Sequence, residues 1–164
     1  MGVGHYVPEK VVTNHDLEKL MDTNNEWIVE RTGINERRYI DHTKDTCSNM
    51  ASKATKMALE RANIDINDID LIVFATITPD YMFPGSGVLM QRELGLDKKA
   101  IPAIDIRNAC SGFIYALSIA DQFINTGLYK TVAVVGAEIQ STALECSDQQ
   151  RHCSVVFGSG SGAA

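Results

Sequence analysis

A chain of 164 residues with 45% apolar and 22% charged side chains is long enough to bury one core of domain size and too apolar to be intrinsically disordered. Its net charge of −6 argues against nucleic acid as a partner, because that binding needs a basic face to displace counterions from phosphates. No stretch approaches the roughly eighteen apolar residues of a membrane span, and the opening MGVGHYVPEK lacks the basic-then-apolar order of a secretory signal. The expectation is a soluble, cytoplasmic protein with no membrane partner.

Taken in chain order, Asn14 reads as the N-cap of a helix through position 21. Thr23 and Glu26 read as a capping box for the next helix, which stops at Gly33. After a turn-rich segment, a helix over 48–63 carries Met50, Ala51, Ala54, Met57 and Ala58 on one stripe, with Lys53, Lys56, Glu60 and Arg61 pointing away. Residues 71–76, LIVFAT, are the short apolar run of a strand buried on both faces. Pro84 and Gly85 break the chain ahead of a helix over 86–94, and 103–106 is a second strand. The helix predicted over 111–125 is apolar nearly all round, which places it inside the protein, and Gly127 ends it. A third strand covers 131–136, and the run 155–157 reads as a last strand leading into a Gly-Ser turn at 158–162. Strands alternating with helices at this spacing predict an α/β fold with a largely parallel sheet.

The four cysteines, Cys47, Cys110, Cys146 and Cys153, contain no C-x-x-C pair, and the four histidines show no H-x-x-x-H spacing. No metal site is expected, and each histidine reads as a surface or core residue. The sharpest feature is D-I-R-N-A-C-S-G-F at 105–113, which sets Cys110 where a strand turns into a helix. There the unpaired backbone N–H groups and the helix dipole favour a thiolate, and small Ser111 and Gly112 leave room for a substrate. A nucleophile that accepts an acyl group is one reading; a small buried hydrophobe filling a core gap is the other.

Three further stretches join this one. G-V-G-H-Y-V-P-E-K-V-V-T-N at 2–14, D-x-x-x-E-W-I-x-x-R-T-G-I-x-x-R at 22–37, the Cys110 segment and F-G-x-G-x-G-A at 157–163 together resemble the β-ketoacyl-acyl-carrier-protein synthase III family. The resemblance implies a thiolase-like fold, with a mixed, largely parallel five-stranded sheet flanked by helices. It also implies that residues 1–164 form its N-terminal domain, the C-terminal half being absent. The implied activity is condensation of an acyl-CoA primer with malonyl-acyl carrier protein in fatty-acid or related ketide synthesis. Acyl-CoA is then a substrate, no separate cofactor is needed, acyl carrier protein is a partner, and the chain pairs as a homodimer.

Residue by residue, the resemblance makes Cys110 the acyl acceptor, with its own backbone N–H helping to hold the oxyanion. Trp27 stacks on the adenine of CoA with Thr23 nearby, Arg31 and Arg151 face the nucleotide and its phosphates, and Phe83 lines the partner's acyl pocket across the dimer. Plainer roles stand beside these: Trp27 as a core anchor, Thr23 as a cap, Arg31 and Arg37 as surface charges, Phe83 as a turn or packing residue. The family's condensing histidine and asparagine match nothing here. Ser159 replaces a usual aspartate in the glycine-rich turn, which removes a carboxylate that would brace it, and Arg107 and Asn108 stand where small residues are common. Half of a two-half fold would expose the apolar surface that meets its mate. Competing expectations are a methylglutaryl-CoA synthase-like or secondary-metabolite acyltransferase, an inert scaffold half, and, weakest, a nucleotide-binding Rossmann domain.

Overall fold

The computed structural model describes residues 1–96 and 98–164. In chain order these form β1 (Gly4–Tyr6), β2 (Lys10–Thr13), α1 (Asn14–Leu17), α2 (Asn25–Thr32), β3 (Glu36–Tyr39), α3 (Cys47–Ala62), β4 (Leu71–Ala75) and α4 (Ser86–Glu93). There follow β5 (Ala103–Ile106), α5 (Gly112–Asn125), β6 (Val132–Ile139), α6 (Arg151–Ser154) and β7 (Ser159–Ala163). They fall into two units, residues 1–6, 46–138 and 160–164, and residues 7–45 and 139–159.

The first unit is organised by β4, whose five residues are all buried. The sheet order is β1-β7-β6-β4-β5. β4 runs parallel to both neighbours, with Phe74 opposite Asp105 on one side and Val135 on the other. β1 is antiparallel to β7, and Val134 and Ala164 exchange both backbone hydrogen bonds at 2.9 Å, the pattern of an antiparallel pair. The sheet is therefore mixed. Because side chains alternate along a strand, Leu71, Val73 and Ala75 pack against Ala116 and Ala120 of α5. Phe74 faces the other way, toward the Gly87 turn of α4. α3 lies against β1 and α4, burying Met50, Ala51, Ala54 and Ala58 as the stripe predicts. Full burial of a side chain like Met50 is worth about 2 kcal/mol. Thr46 caps α3, one turn-position earlier than expected, and Asp80 accepts from the Cys47 and Ser48 N–H groups at 2.6 and 2.9 Å.

Two expectations fail in this unit. α5 is not enclosed: among its residues only Gly112, Ala116 and Ala120 are buried, and Ile114 is 60% exposed. The sheet takes the small-residue stripe of α5, flanked by the half-buried Phe113, Ile119 and Phe123, while Ile114, Tyr115, Leu117 and Ile124 stay exposed. The Gly-Ser run is also not a turn. It is itself the strand β7, while 155–157, read as a strand, follow the last turn of α6. Backbone pairing to β1 and β6 overrides the weak strand preference of glycine and serine, and the Ser161 hydroxyl adds a 2.8 Å bond to the Met50 carbonyl.

In the second unit β2 and β3 form an antiparallel hairpin with Val12 opposite Arg37, two strands that the sequence reading did not anticipate. Val12, Leu17, Met21, Ile28 and Val155 make its core, with Trp27, Tyr39 and Cys146 at the margin. Both predicted caps shift. Thr13, not Asn14, caps α1, in a capping box with Asp16, and α1 ends at Leu17 rather than 21. Asn14 cannot cap because its side chain is buried and bonded elsewhere. Asn24, not Thr23, caps α2, its Oδ1 accepting from the Trp27 N–H at 2.8 Å; the buried Thr23 hydroxyl has no hydrogen-bond partner among the described residues. Gly33 closes α2 as expected, at φ 70°, a left-handed value that glycine adopts without strain. In place of the missing aspartate, Ser159 Oγ lies 2.9 Å from Ser141 Oγ and accepts from the Ser141 N–H at 3.2 Å.

Candidate active site and nucleotide platform

In the first unit β5 ends at Ile106, and Ala109–Ser111 make a single 3-10 turn before α5 begins. Ala109 holds φ 46°, a left-handed conformation that costs a non-glycine residue about 1–2 kcal/mol. The Ser111 N–H and hydroxyl both bond the Asn108 carbonyl, at 3.2 and 3.0 Å, and close the turn. The result presents Cys110 exposed, which removes the core-filler reading. Its side chain borders a cavity of about 320 Å³ that also meets Ala75, Phe113, Gly136 and Glu138. These come from the carboxyl ends of parallel strands β4 and β6 and the first turn of α5, the place where open α/β sheets bind ligands. Gly136 lets the Phe113 ring come close, since a Cβ on it would sit 3.1 Å from that ring.

Glu138, which the sequence reading missed because it ended that strand at 136, accepts from the Ile77 N–H at 2.9 Å and the Thr78 hydroxyl at 2.6 Å. It ties the segment after β4 to the wall of the cavity. The Asp105 carboxylate accepts from the Ser86 and Gly87 N–H groups at 2.6 and 3.0 Å, joining β5 to the start of α4. The loop before α4 leaves Phe83 87% exposed, so it serves no packing role within this chain.

Cys47 has the opposite environment. It is fully buried, lies 3.5 Å from the Thr76 hydroxyl and donates to the Ala137 carbonyl at 3.5 Å. Burial pushes its thiol up to about 12; the Thr76 bond opposes this, and nearby Asp80, Glu138 and Asp105 add to it. Among the described residues no group of three or more His, Cys, Asp or Glu is placed to hold a metal, and no helix is long and apolar enough to cross a membrane.

The second unit brings together three of the predicted residues. Trp27 and Arg31, one helical turn apart on α2, place the Arg31 guanidinium 4.6 Å from the indole centroid. Arg151, at the start of α6, sets its own guanidinium 5.1 Å from the same ring, both within cation–π range. The Arg151 Nη1 donates to the Asp22 carbonyl at 2.8 Å. His152, read from sequence as an ordinary surface or core residue, stands with its ring centroid 6.0 Å from that of Trp27; only its place beside Arg151 could have signalled this. Among the described residues the Thr23 hydroxyl makes no hydrogen bond to this group. An indole flanked by two cations can stack a purine and meet its phosphates.

A mixed α/β sheet with a cysteine held out at a strand-to-helix turn fits the thiolase-like fold that the resemblance implies, and the comparisons with known proteins agree. The profile described as 3-oxoacyl-(acyl-carrier-protein) synthase III matches residues 104–164. The chain is 53% identical to the beta-ketoacyl-(acyl-carrier-protein) synthase III 1 of Bacillus anthracis, across 99% of this chain and 51% of that protein. The crystal structure of the 3-oxoacyl-(acyl-carrier-protein) synthase III of Aquifex aeolicus VF5 superposes with a TM-score of 0.92 at 49% identity, over 99% of this chain and 51% of that one. The priming beta-ketosynthase of the R1128 polyketide pathway gives 0.91 at 37% identity, over 99% and 47%. The sequence and fold match the N-terminal half of a β-ketoacyl-acyl-carrier-protein synthase III. The chain spans about half the length of the curated relatives that it matches.

Proposed function

We propose that this chain is the primer-accepting half of a cysteine acyltransferase that condenses an acyl-CoA with malonyl-acyl carrier protein in fatty-acid synthesis. The observation that carries this is the exposed Cys110, lifted by a strained turn to the edge of a cavity at the carboxyl ends of β4 and β6. In the reaction the Cys110 sulfur attacks the carbonyl carbon of the primer thioester. A new carbon–sulfur bond forms, the bond to CoA breaks, and CoA leaves as the thiol with the proton that Cys110 gives up. The Cys110 N–H stabilises the oxyanion that develops between these events. Trp27, Arg31 and Arg151 hold the adenine and phosphates of the primer, Thr23 lies nearby, and Phe83 reaches a second copy in a homodimer to line its acyl pocket. Acyl-CoA enters as substrate with no separate cofactor. Condensation then calls on a histidine and an asparagine from a second, C-terminal half.

Intact mass after incubation with acetyl-, butyryl- and branched acyl-CoA tests the acylation step. The expected result is a gain of one acyl group, lost in Cys110→Ser. A folded sample that gains nothing from any primer refutes it and favours an inert scaffold. The likeness to a polyketide priming synthase supports a second reading, the same chemistry in secondary metabolism, and the primer scope in this assay separates the two.

A further inference from the structure

We infer that Arg37 and Asn14 are positioning residues that set the distance between the two helices of the Trp27 platform; this rests on the adenine role proposed above for Trp27. Arg37, expected as a surface charge or ligand contact, is only 5% exposed. Its Nη1 donates to the Val12 carbonyl at 3.3 Å and to Asn14 Oδ1 at 2.8 Å, and its Nη2 donates to the Val155 carbonyl at 2.8 Å. None of these acceptors is a carboxylate, and Nε has no hydrogen-bond partner among the described residues. A guanidinium taken out of water without a counter-charge carries a large desolvation cost, so stability alone is a poor account of it.

Asn14 is 1% exposed and passes the connection on, its Nδ2 donating to Asn25 Oδ1 at 3.0 Å and to the Ile34 carbonyl at 2.8 Å. Asn25 opens α2, Ile34 lies just past its end, and Val155 is the C-cap of α6. One run of buried and part-buried hydrogen bonds thus joins the end of α6 to both ends of α2. α2 carries Trp27 and Arg31; α6, only four residues long, carries Arg151 and His152. A helix of one turn cannot hold its own direction, so the place of Arg151 over the indole depends on what its segment is bonded to underneath.

The test uses the intact protein and two probes. Trp27 is the single tryptophan, so its fluorescence reports titration with adenosine 3′,5′-bisphosphate, the nucleotide end of CoA. Acylation of Cys110 from an acyl N-acetylcysteamine thioester, which carries no nucleotide, is followed by mass. Arg37→Met keeps an unbranched apolar stem and loses every donor; Asn14→Asp keeps the volume and loses the donor to Asn25 and Ile34. Both should weaken the bisphosphate by about tenfold or more, the scale on which supporting contacts tune a site, with Arg37→Lys between them and the parent. Acylation from the nucleotide-free thioester should hold its rate. Unchanged affinity in both variants overturns the inference, as does a parallel fall of the two readouts, which marks a purely structural role. An unsubstituted protein that does not bind the bisphosphate overturns the adenine reading itself and the inference with it.

Discussion

Of the four thiols, Cys47 should be withheld from chemistry by its surroundings while Cys110 stands open to reagents. Burial moves the Cys47 thiol from an ordinary 9.0 to about 12, so near neutral pH its thiolate fraction is about a thousandfold below that of an unperturbed thiol. A brief iodoacetamide pulse at mildly alkaline pH, followed by digestion and mass mapping, should find Cys110 modified and Cys47 untouched, with Cys47 labelled only after unfolding in urea. The same shift predicts a pH dependence of stability. Between pH 9 and 12 the folded chain keeps the Cys47 proton and the unfolded chain releases it, so stability falls as pH rises through that window, by about 1.4 kcal/mol per pH unit. Tyr39, pushed from 10.0 to about 12 by burial and by Cys146, adds loss of the same sign above pH 10. The Cys47 share is therefore read as the difference between the protein and Cys47→Ala, up to about 4 kcal/mol across the window. Native labelling of Cys47 as fast as Cys110, or identical alkaline slopes for protein and variant, refutes the reasoning.

Other consequences follow from single contacts. Gly136→Ala puts a methyl 3.1 Å from the Phe113 ring in the Cys110 cavity, so the two must separate by about 0.5 Å; Gly136→Val crowds it further and should cost about 1–3 kcal/mol. Acylation should slow more for long primers than for acetyl-CoA, and an unchanged ratio of the two rates counts against the cavity as the acyl site. Asn24→Ala removes the α2 cap and should lower urea stability by about 1 kcal/mol. Thr23→Val deletes a hydroxyl with no partner and should leave stability equal or higher; a larger loss for Thr23→Val than for Asn24→Ala would restore the capping box read from the sequence.

What the amino-acid order determined alone is what short-range physics controls. The apolar run of β4, the stripe of α3, the glycine end of α2 and the cysteine at a strand-to-helix turn were all legible because each rests on residues within a turn or two of one another. The family resemblance implied roles for Trp27, Arg31 and Arg151, and the structure brought those three side chains together. Helix caps slipped by one residue, since Thr13, Asn14, Thr23 and Asn24 are all capable caps and only the burial of Asn14 and the reach of Asn24 to the Trp27 N–H choose among them. Tertiary structure decided the rest: that a Gly-Ser run becomes a strand between β1 and β6, that α5 shows the sheet its small residues, that Glu138 meets the Cys110 cavity, and that Arg37 is buried under the indole platform's two helices. The partners of these residues come from distant segments, 118 positions away for Arg37 and Val155 and 157 for His5 and Gly162. Burial and hydrogen bonding depend on what is packed nearby in space, and local pattern carries no record of that.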